Sequence, residues 1–317
     1  MMPGSVTVVV PLFNKERFVR QSLTSIVAAA RAAGDVEVLV VDNGSTDASF
    51  ELAAAFVPAV RVHRFLGSTI SSVRNWGTRQ GRGEIVSFLD ADVTVAPEYF
   101  VRLRQVFQDT GAAATGCECD VPTPGRWIER TWHRLNVRTT DGDRHYINSA
   151  NFAMRREAFD AVGGFPEELA TSEDYEICRR LVAAGRRVYQ STAVAAIHLD
   201  NPGSLRAFAA KTYWHGLGAV RASGGGSLNR PTMMAMAHLL MLVLAGTSVA
   251  VGAWRVAALA LWLVPGVTYT FRVGQVRRFV NPLPALLLLQ VFFLGRGAAL
   301  VAAATGRSGA RGQVAPK

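Results

Sequence analysis

The sequence predicts an α/β domain with a doubly wound, largely parallel sheet, followed by an all-α membrane segment. Through the first 200 residues, short β-prone runs alternate with helical patterns, which is typical of strand–helix–strand units. Beyond Asp200 lie 12 of the 34 Lys and Arg residues but none of the 24 Asp and Glu residues. Basic residues among long apolar runs suit a segment that rests on and crosses an anionic bilayer. A nucleic-acid-binding tail would explain only the basic residues, so no nucleic acid partner is expected.

Five apolar, β-branched runs predict the strands of the first domain. Residues 36–41 are apolar on both faces, as in a central strand of a parallel sheet that helices cover on both sides. The predicted strands are residues 6–10, 36–41, 60–63, 85–89 and 193–197.

Periodic patterns with start and stop signals predict the helices between these strands. Gly34 and Gly185 are placed to end two of them, and Pro97 is placed at the first turn of another. From Gly111 to Gly164 the pattern weakens, and the sequence predicts no element there. The predicted helices are residues 17–31, 47–56, a helix through Arg74 to Gly81, one that begins at Pro97, and residues 172–184.

Three apolar stretches predict membrane spans. Residues 233–254 carry no charged side chain and are long enough to cross a hydrocarbon core of about 30 Å. Residues 256–271 need Arg255 to snorkel at one end in order to span. Residues 283–306 contain Gln290 and Arg296, so this stretch either spans with Arg296 facing protein or lies in the interface. The alternative for all three is a buried helical hairpin in a soluble domain.

The predicted organisation has four parts: the α/β domain (1–200), an interfacial helix and linker (201–230), two to three transmembrane helices (231–306) and a basic tail (307–317). Residues 204–223 mix basic and aromatic side chains, which fits an interfacial helix or a last packing helix of the first domain, and residues 224–226 are a glycine joint. No leader precedes Val6, so the α/β domain is expected in the cytoplasm and the protein in the inner (plasma) membrane, as a multi-pass protein. The basic residues Arg272, Arg277 and Arg278 fit a cytoplasmic loop, and the three cysteines fit reduced thiols.

Acidic residues cluster where predicted strands end. Asp42 follows the second strand, Asp90 and Asp92 follow the fourth, and Glu173 and Asp174 open a later helix. Open α/β sheets bind ligands at the carboxyl ends of their strands. Carboxylates there suit a divalent cation and the phosphates that it carries, because hard cations prefer oxygen ligands. The sequence therefore predicts a nucleotide-handling enzyme.

Six motifs, in order, resemble the family 2 inverting glycosyltransferases of GT-A (Rossmann-like) fold over roughly residues 5 to 200. The resemblance implies a nucleoside-diphosphate-sugar donor, Mg²⁺ or Mn²⁺, and transfer of the sugar to an acceptor hydroxyl with inversion. The motifs are Val10-Pro11 with Asn14, residues 42–47 (DNGSTD), Arg74-Asn75-x-Gly77 with Gly81-x-Gly83-Glu84, residues 88–92 (FLDAD), residues 163–167 (GGFPE) and Ser172-Glu173-Asp174.

The same resemblance implies roles for individual residues. Asp174 would be the base, with Glu173 beside it, and the helix dipole would keep Asp174 ionised at neutral pH. Asp92, with Asp90 and His198, would hold the metal. The residues implied in donor binding are Pro11, Phe13, Asn14, Asp42, Arg74, Asn75 and Asp90.

Purely structural roles are the alternatives for several of these residues. Asp42 could cap a turn, Arg74 and Asn75 could cap and pack a helix, and His198 could be structural. Thr171-x-x-Asp174 is also a capping-box pattern, which would give Asp174 a purely local role.

Processive synthases resemble the chain less, because they carry a Gln-x-x-Arg-Trp motif soon after the base. The sequence therefore predicts a membrane-anchored, single-addition glycosyltransferase that acts on a lipid-linked or cell-envelope glycan acceptor amid membrane lipids. A metal-dependent nucleotidyltransferase, a processive polysaccharide synthase and a non-catalytic membrane scaffold are the alternatives.

Overall fold

The computed structural model describes residues 4–137, 140–169, 171–222, 230–276 and 279–306 of the chain. The chain forms two compact units. The first comprises Met1–Pro122 and Thr139–Asp200, and the second comprises Thr123–Arg138 and Asn201–Lys317. A short stretch of the region without predicted elements thus belongs with the C-terminal helices.

All of the described strands lie in the first unit. They are β1 (Val6–Leu12), β2 (Val36–Asp42), β3 (Arg61–Arg64), β4 (Ile85–Leu89), β5 (Val93–Val95), β6 (Ala114–Gly116), β7 (Gly142–Asp143), β8 (Asn151–Arg155), β9 (Val188–Gln190) and β10 (Ala196–His198).

The helices are divided between the two units. They are α1 (Val19–Ala33), α2 (Ser49–Ala54), α3 (Ile70–Gln80), α4 (Tyr99–Thr110), α5 (Trp127–Asn136), α6 (Arg156–Ala161), α7 (Glu173–Ala183), α8 (Leu205–Ala222), α9 (Arg230–Ala250), α10 (Trp254–Val276) and α11 (Pro282–Ala304).

The main sheet of the described residues has eight strands in the order β3-β2-β1-β4-β8-β6-β9-β7. Strands β3, β2, β1 and β4 are parallel, whereas β8 runs antiparallel to both β4 and β6. Every residue of β1 and β4 is buried, since helices cover both faces. Side chains of β1 contribute to two apolar clusters, Val8 to one and Val9 to the other. The predicted α/β sheet is confirmed.

The predicted strands and helices of the first unit lie where the sequence places them, to within a few residues at their ends. One strand differs: residues 192–194 form a 3-10 turn, and only Ala196–His198 are extended, paired antiparallel with β5. The weakly patterned region contains short strands and short helices. Its strands pair with strands that are distant in sequence, and one of them, β8, pairs along all of β4.

The second unit is helical and comprises α5 and α8 to α11. Among the described residues, α9, α10 and α11 are each long and apolar enough to cross a membrane, with mean hydropathies of 1.8, 1.5 and 2.0. Most of the side chains of α9 and α10 are not buried within the chain, as suits contact with lipid. The predicted glycine joint, Arg277, Arg278 and the basic tail lie outside the described residues.

Candidate active site

The site forms at the edge of the sheet where the parallel strands end. Asp42 is the last residue of β2 and is paired in register with Leu12, the last residue of β1. Asp90 directly follows β4, which pairs with β1 on its other side. Asp42 is fully buried and Asp92 is 1% exposed. Backbone pairing thus gathers carboxylates that are far apart in sequence.

Asp90, Asp92 and His198 form a compact cluster. Their metal-ligating atoms all lie within 4.8 Å of one another. The pairing of β10 with β5 brings His198 there, because His198 is opposite Val93 and the Leu199 N–H donates to the Asp92 carbonyl at 2.8 Å. The Nε2 atom of His198 lies 3.5 Å from Oδ1 of Asp92. The three residues for which the family resemblance implies metal binding therefore lie close together.

The chemistry of this cluster fits Mg²⁺ or Mn²⁺. Two carboxylates offer the oxygen ligands that hard cations prefer. Oδ1 of Asp92 is buried and accepts no hydrogen bond within the described part of the chain. A buried carboxylate oxygen without a donor is costly unless a cation faces it. Asp92 and Asp90, with His198 beside them, are the residues that would hold the ion.

Lys15, which sequence reasoning missed, lies against the same cluster. Its Nζ atom is 2.5 Å from Oδ2 of Asp92 and 2.8 Å from Oδ2 of Asp200. Burial would lower the pKa of Lys15, but the two carboxylates raise it above the usual value for lysine, so the ammonium stays charged. A fixed positive charge therefore stands beside the predicted metal ligands.

Asn14 ties the loop after β1 to the loop after β2, and Asp42 caps the turn in the second of these loops. Oδ1 of Asn14 accepts from the Thr46 N–H at 2.8 Å, with Asn14 itself at a φ of 51°, a conformation that asparagine tolerates. Both oxygens of Asp42 accept from the Ser45 N–H at 3.3 Å. Asp42 thus caps the turn that follows it, which is the structural role considered for Asp42 from the sequence. Pro11 is buried in β1, and Phe13 is half-buried in the loop.

Arg74 connects the metal-ligand cluster to α7. Its side chain is 3% exposed, and it donates to Glu173 at 2.7 Å and to Asp90 at 2.9 Å. Burial would lower the pKa of Arg74, but the two carboxylates raise it. Burial likewise would raise the pKa of Asp90, but Arg74, His198 and Lys15 hold it below its usual value. The bridge thus favours the charged forms of Arg74 and Asp90.

Asn75 points away from this bridge and fixes another loop. Its Nδ2 donates to the Phe165 carbonyl at 2.9 Å and to Glu167 at 2.8 Å, and its Oδ1 accepts from the Phe165 N–H. The loop includes Gly164, whose φ of 71° favours glycine. Asn75 is 6% exposed, so its contacts in the structure are those of a loop anchor.

Glu173 and Asp174 open α7 after a residue in an uncommon conformation. Ser172 has a φ of 68° and makes no side-chain capping hydrogen bond. Such a φ is unusual for a non-glycine residue and clusters at functional sites. The Thr171 hydroxyl contacts the Ser172 hydroxyl at 3.4 Å, and the Asp174 carboxylate accepts from Tyr146 and Tyr175, so the Thr171-x-x-Asp174 capping box is not formed among the described residues. The purely local role of Asp174 as a cap is therefore wrong.

Asp174 faces a different set of groups from Glu173. Its Oδ2 accepts from the Tyr146 hydroxyl at 2.9 Å, and its Oδ1 accepts from the Tyr175 N–H at 2.8 Å. Burial and the Glu173 carboxylate raise the pKa of Asp174 to about 7, against the lowering effect of those hydrogen bonds. This raised pKa runs against the expectation that the helix dipole keeps Asp174 ionised at neutral pH, because burial and the Glu173 charge oppose ionisation. A pKa near the working pH suits a general base.

The comparisons with known proteins identify the class of this protein as a glycosyltransferase. Residues 7–163 match the family model "Glycosyl transferase family 2", and residues 133–296 match "Glycosyl transferase family 21". The chain belongs to the glycosyltransferases: the family 21 model covers just over half of it and the family 2 model just under half, and the resemblance to family 2 drawn from its motifs is confirmed.

Curated relatives agree with this assignment. Glycosyltransferase AglE of Haloferax volcanii is 27% identical over 207 residues, which are 62% of this chain and 67% of that protein. Pre-mycofactocin glycosyltransferase of Mycobacterium tuberculosis is 26% identical over 274 residues, 82% of this chain and 56% of that protein. The chain thus spans about two thirds of the first relative and little more than half of the second.

Solved structures share the fold. The mannosyltransferase PcManGT from Pyrobaculum calidifontis, in complex with GDP-Man and Mn²⁺, superposes with a TM-score of 0.59 at 18% identity, covering 96% of this chain and 88% of that chain. S. aureus TarS 1–349, in complex with UDP-GlcNAc, has a TM-score of 0.52 at 17% identity, covering 95% and 92%. The chain therefore has the GT-A fold of nucleotide-sugar-binding enzymes, followed by helices that could span a membrane.

Proposed function

We propose that this protein is a membrane-anchored, metal-dependent, inverting glycosyltransferase that adds one sugar from a nucleoside-diphosphate-sugar to a hydroxyl of a lipid-linked or cell-envelope glycan acceptor. One observation supports this proposal most strongly: the buried Arg74 side chain pairs with both Asp90 and Glu173. Glu173 is the neighbour of Asp174 in the sequence. This pairing joins the residues that would hold a cation to the helix that presents Asp174, the residue whose pKa is raised to about 7 by burial and the Glu173 charge. Such an arrangement suits a leaving group on one side and a base on the other.

The chemistry assigns a role to each part of the site. Asp90, Asp92 and His198 would hold Mg²⁺ or Mn²⁺, which when bound neutralises the leaving diphosphate. The acceptor oxygen bonds to the anomeric carbon as the bond from that carbon to the diphosphate breaks. The proton of the acceptor hydroxyl passes to Asp174, which must lie on the attacking face for inversion. Arg74 and Glu173 orient the site and do not take the proton, because each is held in the buried ion pair.

Two kinds of observation support the finer parts of the proposal. The neighbours of known structure bind GDP-Man with Mn²⁺ and UDP-GlcNAc, which supports a nucleotide-sugar donor and limits the proposal to that class. The three apolar helices support anchoring in a membrane. We place the catalytic unit on the cytoplasmic side of the plasma membrane, because the basic residues Arg272, Arg277 and Arg278 between the last two apolar stretches fit a cytoplasmic loop. Anchoring in turn favours a membrane-bound acceptor, because confinement raises its effective concentration.

The test uses the full chain in detergent micelles with Mn²⁺, a panel of GDP- and UDP-sugars and a membrane-lipid extract as the source of acceptor. We expect release of a nucleoside diphosphate, loss of turnover in EDTA, and a product whose anomeric configuration, read by NMR, is opposite to that of the donor. Release of pyrophosphate from a nucleoside triphosphate would instead indicate a nucleotidyltransferase, and long polymeric products a processive synthase. Retained configuration would contradict inversion.

A further inference from the structure

Two exposed aromatic rings, those of Tyr146 and Tyr175, lie side by side in the first unit. Tyr146 precedes β8 and is 38% exposed, and Tyr175 lies in the first turn of α7 and is 47% exposed. Their ring centroids are 6.2 Å apart and their planes meet at 49°. Neither ring is part of the two apolar clusters that the described residues form around the sheet. We call these two side chains the tyrosine pair.

Three hydrogen bonds hold the segment that carries Tyr146 against α7. The Tyr146 hydroxyl donates to Oδ2 of Asp174 at 2.9 Å, and the Ser149 N–H donates to the same oxygen at 3.4 Å. The Ser149 hydroxyl donates to Glu173 at 3.2 Å. Tyr146 is thus fixed at its polar end while its ring stays exposed. A surface that is already in place before the ligand arrives binds at a lower entropic cost.

The tyrosine pair borders Asp174 on two sides. One oxygen of Asp174 accepts from the Tyr146 hydroxyl, and the other accepts from the Tyr175 N–H at 2.8 Å. The exposed Asn148 amide adds a polar group, since its Nδ2 donates to the Tyr146 hydroxyl at 3.4 Å. A ligand that rests on the two rings therefore lies beside both a carboxylate and an amide.

Ring faces edged by a carboxylate and an amide have the chemistry of a sugar-binding surface. The face of an aromatic ring is electron-rich and attracts the polarised C–H groups on one face of a sugar ring. Carboxylate and amide groups form hydrogen bonds with the hydroxyls at the edge of the sugar. A phosphate group at this place would be repelled by the ionised Asp174, and the Arg74 guanidinium is already engaged by Asp90 and Glu173.

We propose that the tyrosine pair stacks against a sugar ring of the acceptor, so that the attacking hydroxyl belongs to a sugar and not to a lipid phosphate. The hydroxyl oxygen of that sugar bonds to the anomeric carbon of the donor as the diphosphate leaves, and its proton passes to Asp174. The inference rests on the proposed function, because it takes Asp174 as the base. The acceptor is then a glycan, and the product contains a new bond between two sugars.

The proposal is tested by saturation-transfer NMR on the full chain in phosphatidylcholine nanodiscs, where no sugar-headed detergent competes. The probes are the methyl glycosides of glucose, galactose, mannose and N-acetylglucosamine, with butyl phosphate as the phosphate probe. Affinity is read by titration without donor or Mn²⁺. We expect saturation transfer to the ring C–H protons of one or more of the glycosides.

Variants of the tyrosine pair show whether the rings bind the glycoside. Tyr175→Ala and Tyr146→Ala should each weaken its affinity by about fivefold or more, because each removes a stacking contact. Tyr175→Trp and Tyr146→Phe keep an aromatic ring and should stay within a few-fold of wild type. Val182→Ala, which shortens another exposed apolar side chain of α7, should leave the affinity unchanged.

Folding is checked by thermal unfolding without ligand. Tyr175 is exposed, so Tyr175→Ala should melt near the wild-type temperature. No binding of any of the four glycosides, or equal glycoside affinity in Tyr175→Ala and wild type, would overturn the proposal. Binding of butyl phosphate that is lost in Tyr175→Ala would also overturn it, and would point to a phosphate acceptor.

A donor-binding measurement separates this proposal from the proposed function. Mn²⁺-dependent binding of nucleotide sugars, measured by calorimetry, should be unaffected by Tyr175→Ala, because the Tyr175 ring contacts Tyr146. Absence of donor binding in the wild type would count against the proposed function and leave the glycoside result standing. Normal donor binding together with glycoside affinity that does not depend on Tyr175 would count against the tyrosine pair alone.

Discussion

The guanidinium of Arg74 donates to the carboxylate of Glu173 at 2.7 Å, in a buried pair that separates the two acids of the Glu173-Asp174 motif by function. Glu173 is engaged by Arg74 and by the Ser149 hydroxyl at 3.2 Å. The two oxygens of Asp174 accept instead from the Tyr146 hydroxyl and from the N–H groups of Ser149 and Tyr175. Adjacent residues on one helix turn thus make different contacts: Glu173 pairs with Arg74, whereas Asp174, the base in the proposed function, accepts from Tyr146 and Tyr175.

Glu173→Gln tests the structural half of this division. Loss of one charge from the buried pair should destabilise the protein by about 3 kcal/mol, measured by chemical denaturation, because Arg74 keeps its charge with Asp90 as its remaining partner. Glu176→Gln on the same helix is the matched control. Its pairs with Arg179 and Arg180 are more exposed, so the loss should be about 1 kcal/mol or less. Equal losses in the two variants would show that burial of the Arg74 pair does not matter.

The pH dependence of transfer tests the state of Asp174. A base must be unprotonated, so kcat/KM should fall as pH falls through about 7, the pKa that burial and Glu173 give to Asp174. The Tyr146 hydrogen bond lowers this pKa, so Tyr146→Phe should move the acid limb to higher pH. The Glu173 charge raises it, so Glu173→Gln should move the limb to lower pH. Shifts of both variants in the same direction would contradict the assignment.

The position of Lys15 beside Asp92 predicts that this residue lowers the affinity of the site for a metal ion. Its ammonium lies beside Asp92 and repels any cation that binds there. Lys15→Met should therefore lower the Mn²⁺ concentration needed for half-maximal binding, measured by calorimetry, by several-fold or more. Lys15→Arg keeps the charge and should leave the Mn²⁺ affinity near that of the wild type. Weaker Mn²⁺ binding by Lys15→Met would mean that Lys15 supports the metal site instead of competing with the ion.

The strand-end acids were predictable from sequence because their signal is local. An apolar run followed by Asp42, or by Asp90 and Asp92, indicates both that a strand is present and where it ends, to within a few residues. Parallel pairing then brings the ends together without further information. The same reasoning predicted the helix that presents Glu173 and Asp174. Secondary structure and topology rules therefore suffice for the carboxylates of the site.

The partners of those carboxylates were not predictable, because their contacts cross long separations in sequence. Lys15 reaches Asp92 and Asp200 over 77 and 185 residues. Tyr146 lies in the weakly patterned region, whose short strands form only through pairing with β4 and β9. The pKa of Asp174 depends on burial, which a helix-dipole argument from sequence does not include. Contacts of this kind appear only once the chain is folded.

Asn75→Ala tests whether Asn75 anchors a loop or binds donor. The change removes three hydrogen bonds to Phe165 and Glu167 and leaves buried backbone groups without partners, so it should destabilise the protein by about 1–3 kcal/mol. Donor affinity of the folded variant should stay within a few-fold of wild type. Gln80→Ala, an exposed change on the same helix, should have little effect on stability. A large loss of donor affinity at unchanged stability would restore the donor-binding role.

Asp174→Asn and Asp92→Asn together test the division between base and metal ligand. Asp174→Asn should lower transfer by about 10²-fold or more and leave donor affinity within a few-fold, because the amide cannot take the proton of the acceptor. Asp92→Asn should impair both transfer and Mn²⁺-dependent donor binding, because an amide lacks the charge that opposes the cation.

Stability separates these effects from misfolding. A carboxyl whose pKa is about 7 in the folded protein, above its usual 3.8, is penalised as it ionises, so its contribution to stability is lost as pH rises between those values. Asparagine at position 174 removes the penalty and still accepts from Tyr146. Asp174→Asn should therefore melt no lower than wild type at pH 8, although its rate of transfer falls by about 10²-fold or more. A folded Asp174→Asn protein that transfers sugar at the wild-type rate would show that the base lies elsewhere, with Glu173 as the nearest carboxylate to examine.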